Sequence, residues 1–344
     1  MWVIVHHLCG PGQWLDPWAH TLPEWAARIL RGGYLAVATF FVLSGFVLAL
    51  SYGESVWDRR SLARYAVARL ARVYPVYALS IVVVVPFIAA ESLPLTGGPL
   101  FADKASLVAN YALLLQGWTG TLPVGWNTPA WSLSCEMFFY LCFPLATGMM
   151  RNSGWRTVAA VAALTCVLPE ALPRLGMPAV WKPLIHLSDF VMGIAAARAW
   201  ILLAESRPAW QGRGAWFYGP AALGGAALIA RPGLLPAAIE LNTPLRPLNA
   251  LLLVGLAVGG GLPARTLASR IGVYLGKASY AMYILHVPLL WWYGRWASKL
   301  PLRLGSTGLA ATFVAAVITI SAAVFRYIEE PANRGLRNAV RARM

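Results

Sequence analysis

The chain has 344 residues, of which 59% are hydrophobic and only 12% are charged, and its mean hydropathy is +0.61. Several apolar runs reach the roughly 20 residues that a helix needs to cross a lipid bilayer. A soluble helical protein would need polar faces on its helices, which segments 33–52 and 306–325 do not show. The composition therefore predicts an all-α, polytopic membrane protein and argues against a soluble enzyme.

The formal net charge is +15, and its meaning depends on where the arginines lie relative to the apolar runs. They cluster in segment 53–72 and in the tail after Phe325. Loops rich in Lys and Arg mark the cytoplasmic side of a membrane protein. We therefore interpret the charge as a signal of topology and of contact with membrane lipids, and we expect no nucleic-acid partner.

The cysteines have no spacing typical of a metal site, and three of the four lie in apolar runs. Buried free thiols are expected at these positions, without a disulfide framework, a metal or redox chemistry. The four are Cys9, Cys135, Cys142 and Cys166.

The first apolar run, at residues 2–8, stops at a Gly-Pro-Gly sequence and is much shorter than a membrane span. We predict that it is the far half of a first helix that is truncated at its N-terminus. With it, the number of transmembrane helices is about ten, in a single domain of residues 1–344. The other predicted spans lie at 33–52, 73–90, 131–150, 157–173, 184–203, 215–230, 246–262, 272–293 and 306–325.

The long connection 91–130 contains a shorter apolar piece at 105–116. Its length suits a re-entrant or interfacial segment better than a span. An even number of spans places both termini on one side, and the basic tail indicates that this side is the cytoplasm. The predicted location is the inner cell membrane, with both termini cytoplasmic.

Glu136 is a carboxylate inside an otherwise apolar helical run. Thr128 is a plausible N-cap and Pro129 suits the first helical position, so Ser132, Glu136 and Tyr140 recur on one face of the helix. A carboxyl group at membrane depth is costly unless it faces the bundle interior, a polar partner or water. Glu136 is therefore a candidate functional residue, with a structural hydrogen-bond anchor as the alternative.

His6 and His7 lie in the first apolar run. A histidine at membrane depth is either a satisfied interior residue or a base whose proton affinity lies near the working pH. Spacing alone favours the first interpretation.

Taken together, six segments resemble the acyltransferase-3 family of integral membrane O-acyltransferases over nearly the whole chain. Each segment is a weak signal, but their order and spacing are specific. They are WVIVHHL at 2–8, FFVLSGFVL at 40–48, RLARVYP at 69–75, WSLSCEMFFY at 131–140, LGKASYAMYILH at 275–286 and IEEP at 328–331.

The resemblance implies ten membrane helices and a reaction that esterifies a hydroxyl group, often of a sugar, with an acyl group from acyl-coenzyme A. The essential histidine of the family falls on His7, its paired arginines on Arg69 and Arg72, and its intramembrane glutamate on Glu136. Two features depart from the family. The chain lacks the Arg-Ala pair that usually precedes the histidine, and alanines stand at 36 and 38 where Gly and Asp are frequent, which suggests a subgroup with a different acceptor or polar network.

Ester formation from a thioester needs a base for the proton of the acceptor hydroxyl, and a neutral imidazole can serve. We assign His7 to this step, either as a base or as a residue that accepts the acyl group covalently. Glu136 is expected to line the same cavity, where it would orient the imidazole or bind the acceptor. Trp131, Ser132 and Tyr140 are the expected substrate-binding residues beside it.

Arg69 and Arg72 lie three residues apart on one helical face at the predicted cytoplasmic end of their span. Guanidinium groups bind phosphate bidentately, and coenzyme A carries a pyrophosphate and a 3′-phosphate. We assign this pair to the acyl-coenzyme A co-substrate, with acetyl-coenzyme A favoured. Signalling of topology and contact with lipid headgroups is the alternative, and it explains the other arginines of the segment better.

Tyr280, His286, Asp189 and Glu330 are expected to form interior hydrogen bonds without a catalytic part. The prediction is an O-acetyltransferase-like enzyme that acts on a carbohydrate of an envelope or exported glycan. Acylation of a small glycoside or secondary metabolite is the alternative acceptor chemistry, and a transporter is the non-enzymatic alternative. A transporter would show inverted repeats and broken helices in both halves, and neither is visible in the sequence.

Overall fold

The computed structural model describes residues 1–89, 104–118, 127–176, 181–236, 239–297, 299 and 304–343. Within these ranges all regular secondary structure is helical. The α-helices are α1 (Trp2–Leu8), α2 (Asp16–Thr21), α3 (Glu24–Arg31), α4 (Ala36–Tyr52), α5 (Arg59–Ala89), α6 (Lys104–Ala112), α7 (Ala130–Met150), α8 (Trp155–Arg174), α9 (Lys182–Ser206), α10 (Ala215–Ala230), α11 (Asn242–Val258), α12 (Gly261–Ala268), α13 (Arg270–Ala297), α14 (Ser306–Val324) and α15 (Glu330–Arg343).

Six helical segments in these ranges are long and apolar enough to cross a membrane, and a seventh would come from α11 and α12 together, which meet at a bend of 79°. The expectation of a helical, multi-pass membrane protein holds, but the number ten is not confirmed. Helix α1 has seven residues and so extends only about 10 Å, and α10 has 16 residues. The six are Glu24–Tyr52, Arg59–Phe87, Ala130–Met150, Trp155–Leu172, Lys182–Ser206 and Ser306–Leu336.

The ambiguous piece at 105–116 forms the nine-residue helix α6, followed by a turn. Nine residues extend about 14 Å, which is half of the hydrocarbon thickness of a bilayer. Within the residues that the structure describes, this helix is shorter than a span, which agrees with a re-entrant or interfacial segment.

Helices α4 and α9 cross at a very close distance because two glycines lie at the contact. A Cβ atom on Gly45 would meet the carbonyl oxygen of Phe190, and one on Gly193 would meet that of Val42. Small residues let membrane helices approach closely, and dispersion contacts then replace the missing hydrophobic drive. The crossing fixes the first half of α9, which carries His186, against the centre of the bundle.

The segment between α1 and α4 is held by Asp16 and Arg31. The Arg31 guanidinium donates to Asp16 Oδ1 at 2.8 Å and to the Cys9 carbonyl oxygen at 3.2 Å. The amide of Gly12 donates to Asp16 and lowers the pKa of this carboxyl group, and His20 and Arg31 lower it further. Asp16 therefore stays ionised at neutral pH and keeps its pair with Arg31. The carbonyl of Arg31 in turn accepts from His6 Nδ1 at 2.5 Å, which ties this segment to α1.

The C-terminal region contains one turn of π-helix, Phe325–Glu329, between α14 and α15. Such turns insert a residue into a helix and re-aim its side chains. Here the turn directs Glu329 into the bundle, where it is fully buried and pairs with Arg72 of α5. The expectation that Glu330 forms interior hydrogen bonds is wrong, because Glu330 pairs with two exposed arginines on its own helical face.

Candidate active site

His7 lies on a cavity of about 320 Å³ between α1, α4, α7, α9 and α13, which we call the histidine cavity. The polar and aromatic residues that line it are His6, His7, Tyr34, Thr128, Trp131, Lys182, His186, Asn242 and Tyr283.

The His7 ring lies between two other imidazoles. Its centroid is 5.1 Å from that of His6 and 5.1 Å from that of His286. Nδ1 of His6 donates to the Arg31 carbonyl oxygen, whereas no residue in the described ranges forms a hydrogen bond with the His7 side chain. The ring nitrogens of His7 are therefore available to a molecule in the histidine cavity.

His286 is the fully buried neighbour of His7, and its tautomer follows from its contacts. Its Nδ1 lies 2.6 Å from the carbonyl oxygen of Tyr283, and a carbonyl oxygen only accepts, so Nδ1 carries a proton and donates. Nε2 of the neutral ring then holds a lone pair, and this atom is buried without a partner. His286 thus presents an unused acceptor beside His7, a role that we did not assign to it from the sequence.

Glu136 is buried in α7 but does not line the histidine cavity. Its carboxylate accepts from Tyr140 at 2.5 Å and from Ser44 at 3.1 Å. The expectation that Glu136 and His7 share one cavity is therefore wrong for these residues. The reason is depth, because Glu136 lies one helical turn beyond Ser132, whose hydroxyl reaches Tyr283 at the cavity wall.

A second polar group lies deeper in the bundle, on the side where α5 begins. The Arg69 guanidinium lies over the rings of Tyr52, Tyr65 and Tyr140, at 5.5, 5.9 and 5.7 Å. The Arg72 guanidinium lies 5.4 Å from the Tyr280 ring. We call this group the arginine layer, and it consists of Arg69, Arg72, Glu136, Tyr140, Tyr280 and Glu329.

The histidine cavity and the arginine layer are joined by α13. Tyr280 contacts Arg72, Tyr283 lines the cavity and His286 lies beside His7. These residues follow each other at intervals of three, so they share one face of the helix, and the ends are about 9 Å apart along its axis.

The three predicted substrate-binding residues do not lie together, because they are divided between the histidine cavity and the arginine layer. Trp131 lines the histidine cavity. Ser132 is one hydrogen bond behind its wall, with its hydroxyl 2.8 Å from that of Tyr283. Tyr140 belongs to the arginine layer and not to the cavity.

The structure contains a buried ion pair behind the cavity that the sequence analysis did not predict. Arg246 Nε donates to Asp189 Oδ1 at 2.6 Å, and both side chains are almost fully buried. The other oxygen of Asp189 lies 2.8 Å from Nδ1 of His186, which lines the cavity. Only the i, i+3 spacing of His186 and Asp189 indicated a contact from the sequence, and nothing in it pointed to Arg246 as the partner.

All four cysteines are free thiols, but the expected burial holds for only two of them. Cys9 and Cys135 are buried and Cys142 and Cys166 are half-buried.

The family model of an acyltransferase domain matches residues 1–326 of the chain. The chain is 32% identical over 287 residues to acyltransferase MdmB of Streptomyces mycarofaciens, covering 74% of this chain and 67% of that protein. It is also 42% identical over 59 residues to protein 2 in the picA locus of Rhizobium radiobacter, covering 17% of this chain and 31% of that protein. No solved structure matches the chain. On the match over residues 1–326, the chain belongs to the acyltransferase-3 family and is an enzyme that transfers acyl groups.

Proposed function

We propose that this enzyme transfers an acyl group, acetyl in the first instance, from acyl-coenzyme A to a hydroxyl group of a carbohydrate on an envelope or exported glycan. The observation that carries the proposal is the His7 imidazole, which has no hydrogen-bond partner in the described ranges and lies on a cavity with aromatic and polar walls. A few placed polar groups among aromatic side chains are typical of a small-molecule site. The family assignment to acyl transfer leaves the transporter alternative without support.

In this proposal His7 takes the proton of the acceptor hydroxyl as the hydroxyl oxygen attacks the carbonyl carbon of the thioester. The C–O bond forms, the C–S bond breaks, and the proton passes from the imidazolium to the sulfur of the leaving thiolate. His286 is the positioning residue, because its Nε2 lone pair can accept from His7 and fix which nitrogen of His7 faces the acceptor. It replaces Glu136 in the role that we expected from the sequence.

We assign the binding of the acyl donor, acyl-coenzyme A, to Arg69. Arg72 is neutralised by Glu329, whereas Arg69 is surrounded by tyrosine rings and its Nε is buried without a partner. A guanidinium that lacks a carboxylate is suited to a phosphate of coenzyme A. Because α5 begins at an arginine-rich segment, we place this end at the cytoplasm, with both termini on the same side of an inner membrane.

The acceptor class is tested in the native host after deletion of the gene. An extract of the deletion strain, with its membranes and metabolites, is incubated with radiolabelled acetyl-coenzyme A and purified protein, and the products are identified by mass spectrometry. We expect label in an alkali-labile ester on a glycan. Label in a small glycoside or another metabolite would replace the acceptor, and absence of incorporation would refute acetyl transfer from coenzyme A.

A further inference from the structure

One wall of the histidine cavity is formed by the first turns of α9. Lys182 and His186 are four residues apart and both line the cavity. The Lys182 ammonium lies 4.4 Å from the centre of the Trp131 ring, and the His186 ring lies 5.4 Å from it. A cationic group, an imidazole and an indole thus line one space on the side formed by α7 and α9.

On the side away from the cavity, His186 contacts the buried ion pair of Asp189 and Arg246. Asp189 is fully buried and accepts from Arg246 at 2.6 Å, and Arg246 also donates to the Thr165 carbonyl at 2.7 Å. Burying such a pair costs more in desolvation than packing apolar residues in the same volume, so stability does not explain it. What the pair does is present one carboxylate oxygen to Nδ1 of His186.

That contact determines which atom of His186 faces the cavity. An ionised carboxylate only accepts, so Nδ1 at 2.8 Å carries the proton. In the neutral ring Nε2 then holds a lone pair, and no residue of the described ranges hydrogen-bonds to it. A hydroxyl group is the natural donor to such an atom. Asp189 and Arg246 lock one tautomer in place.

We infer that His186 binds a hydroxyl group of the acceptor in the histidine cavity, with Asp189 and Arg246 as positioning residues. The inference rests on the proposed function and deepens it, because it assigns the acceptor to the α9 wall and leaves the acyl transfer itself to His7. The ligand it selects is a polyhydroxylated molecule in which a second hydroxyl lies near the one that is acylated.

Two substitutions of His186 separate the contact with the acceptor from the contact with Asp189. The amide of an asparagine reaches the position of Nδ1 and that of a glutamine reaches the position of Nε2. His186→Asn therefore keeps a group for Asp189 but loses the atom that faces the cavity, and His186→Gln does the opposite. A merely structural role of His186 predicts the reverse order of the two variants, because it depends on the buried side.

The assay uses full-length protein, radiolabelled acetyl-coenzyme A and a dilution series of the extract from the deletion strain. For His186→Asn we expect the half-saturating amount of extract to rise about tenfold or more, because a hydroxyl loses its acceptor, while the half-saturating acetyl-coenzyme A concentration stays the same. In His186→Gln the half-saturating amount of extract should fall most of the way back to the value of the unsubstituted enzyme.

Three results would overturn the assignment: an unchanged half-saturating amount of extract in His186→Asn, a loss confined to the maximal rate, or a worse value for His186→Gln than for His186→Asn. Failure of the proposed function has a different signature, because the unsubstituted enzyme itself would then transfer no label into the extract. A melting measurement on each variant in detergent shows that both remain folded.

Discussion

The histidine cavity and the arginine layer contain similar chemical groups but differ in how those groups are used. In the arginine layer, Arg72 is paired with Glu329 and Glu136 accepts from Tyr140 and Ser44, so most of the charge is matched within the protein. In the histidine cavity, His7 and His186 each have a ring nitrogen without a protein partner in the described ranges, and so does His286, which is buried beside His7.

The difference teaches that burial of ionisable groups is not by itself a sign of a reacting centre. Matched buried charges hold helices in register, whereas nitrogen atoms that face about 320 Å³ of space can act on a substrate. Two atoms of the arginine layer still lack a hydrogen-bond partner in the described ranges, Oε2 of Glu329 and Nε of Arg69, whose guanidinium lies over three tyrosine rings. The four predictions below test this division.

His7→Ala is the most direct test that the reaction takes place in the histidine cavity. Loss of a general base costs roughly 100- to 10,000-fold in rate, so acetyl transfer into the host extract should fall to near background. The matched control is His20→Ala, in an exposed helix away from the cavity, which should leave the rate unchanged. A His7→Ala enzyme with normal activity would move the chemistry away from the histidine cavity.

Arg246→Leu measures the cost of leaving one charge of a matched buried pair without its partner. The substitution leaves Asp189 buried and uncompensated, so the free energy of unfolding should fall by about 3–5 kcal/mol. We expect the control Arg326→Leu, which removes only a surface pair with Glu330, to cost less than about 1 kcal/mol. Reversible unfolding in mixed micelles measures both. The double variant Asp189→Leu/Arg246→Leu should recover most of the loss, and equal destabilisation by all three would contradict this account.

His286→Asn sharpens the assignment of the positioning residue. The asparagine amide can still donate to the Tyr283 carbonyl but offers nothing at the position of Nε2, so the rate should fall by about tenfold as His7 loses its orientation. His286→Gln, which reaches the position of Nε2, should return part of the rate. Steady-state kinetics at saturating acetyl-coenzyme A give the comparison, and equal rates for the two variants would assign His286 a packing role only.

Arg69→Gln has the smallest expected effect and tests the donor end. The half-saturating acetyl-coenzyme A concentration should rise severalfold, because one charge-assisted contact of about 1.5–3 kcal/mol is weakened and partly replaced by the amide. Arg59→Gln, at the exposed start of α5, serves as the matched control. Equal affinity of all forms for coenzyme A in a direct binding measurement would return Arg69 to the topology interpretation.

The sequence was sufficient for the helical and membrane-embedded character and for the positions of the helices. All predicted spans but one lie on a helical segment of the structure as far as their residues are described, and the helix with Glu136 begins at Ala130, one residue after the predicted start. The exception is 246–262, which runs past the end of α11 into the bend before α12. These features depend on the local period of apolar residues, which is written in a single stretch of chain. The number of spans could not be read from apolar length alone, because α13 carries the tyrosines and histidine of the site together with several tryptophans and is not among the apolar spans.

The partners of the ionisable residues were decided only by the tertiary structure. The sequence indicated that His7 and Glu136 face the interior, but only the packing of the helices brings Ser44 of α4 to Glu136 and His286 of α13 to His7. Likewise, Asp189 and Arg246 are 57 residues apart and meet because the glycines of α4 and α9 fix where α9 lies. A residue pattern specifies which face of a helix is buried, but which neighbour that face meets depends on how all the helices pack.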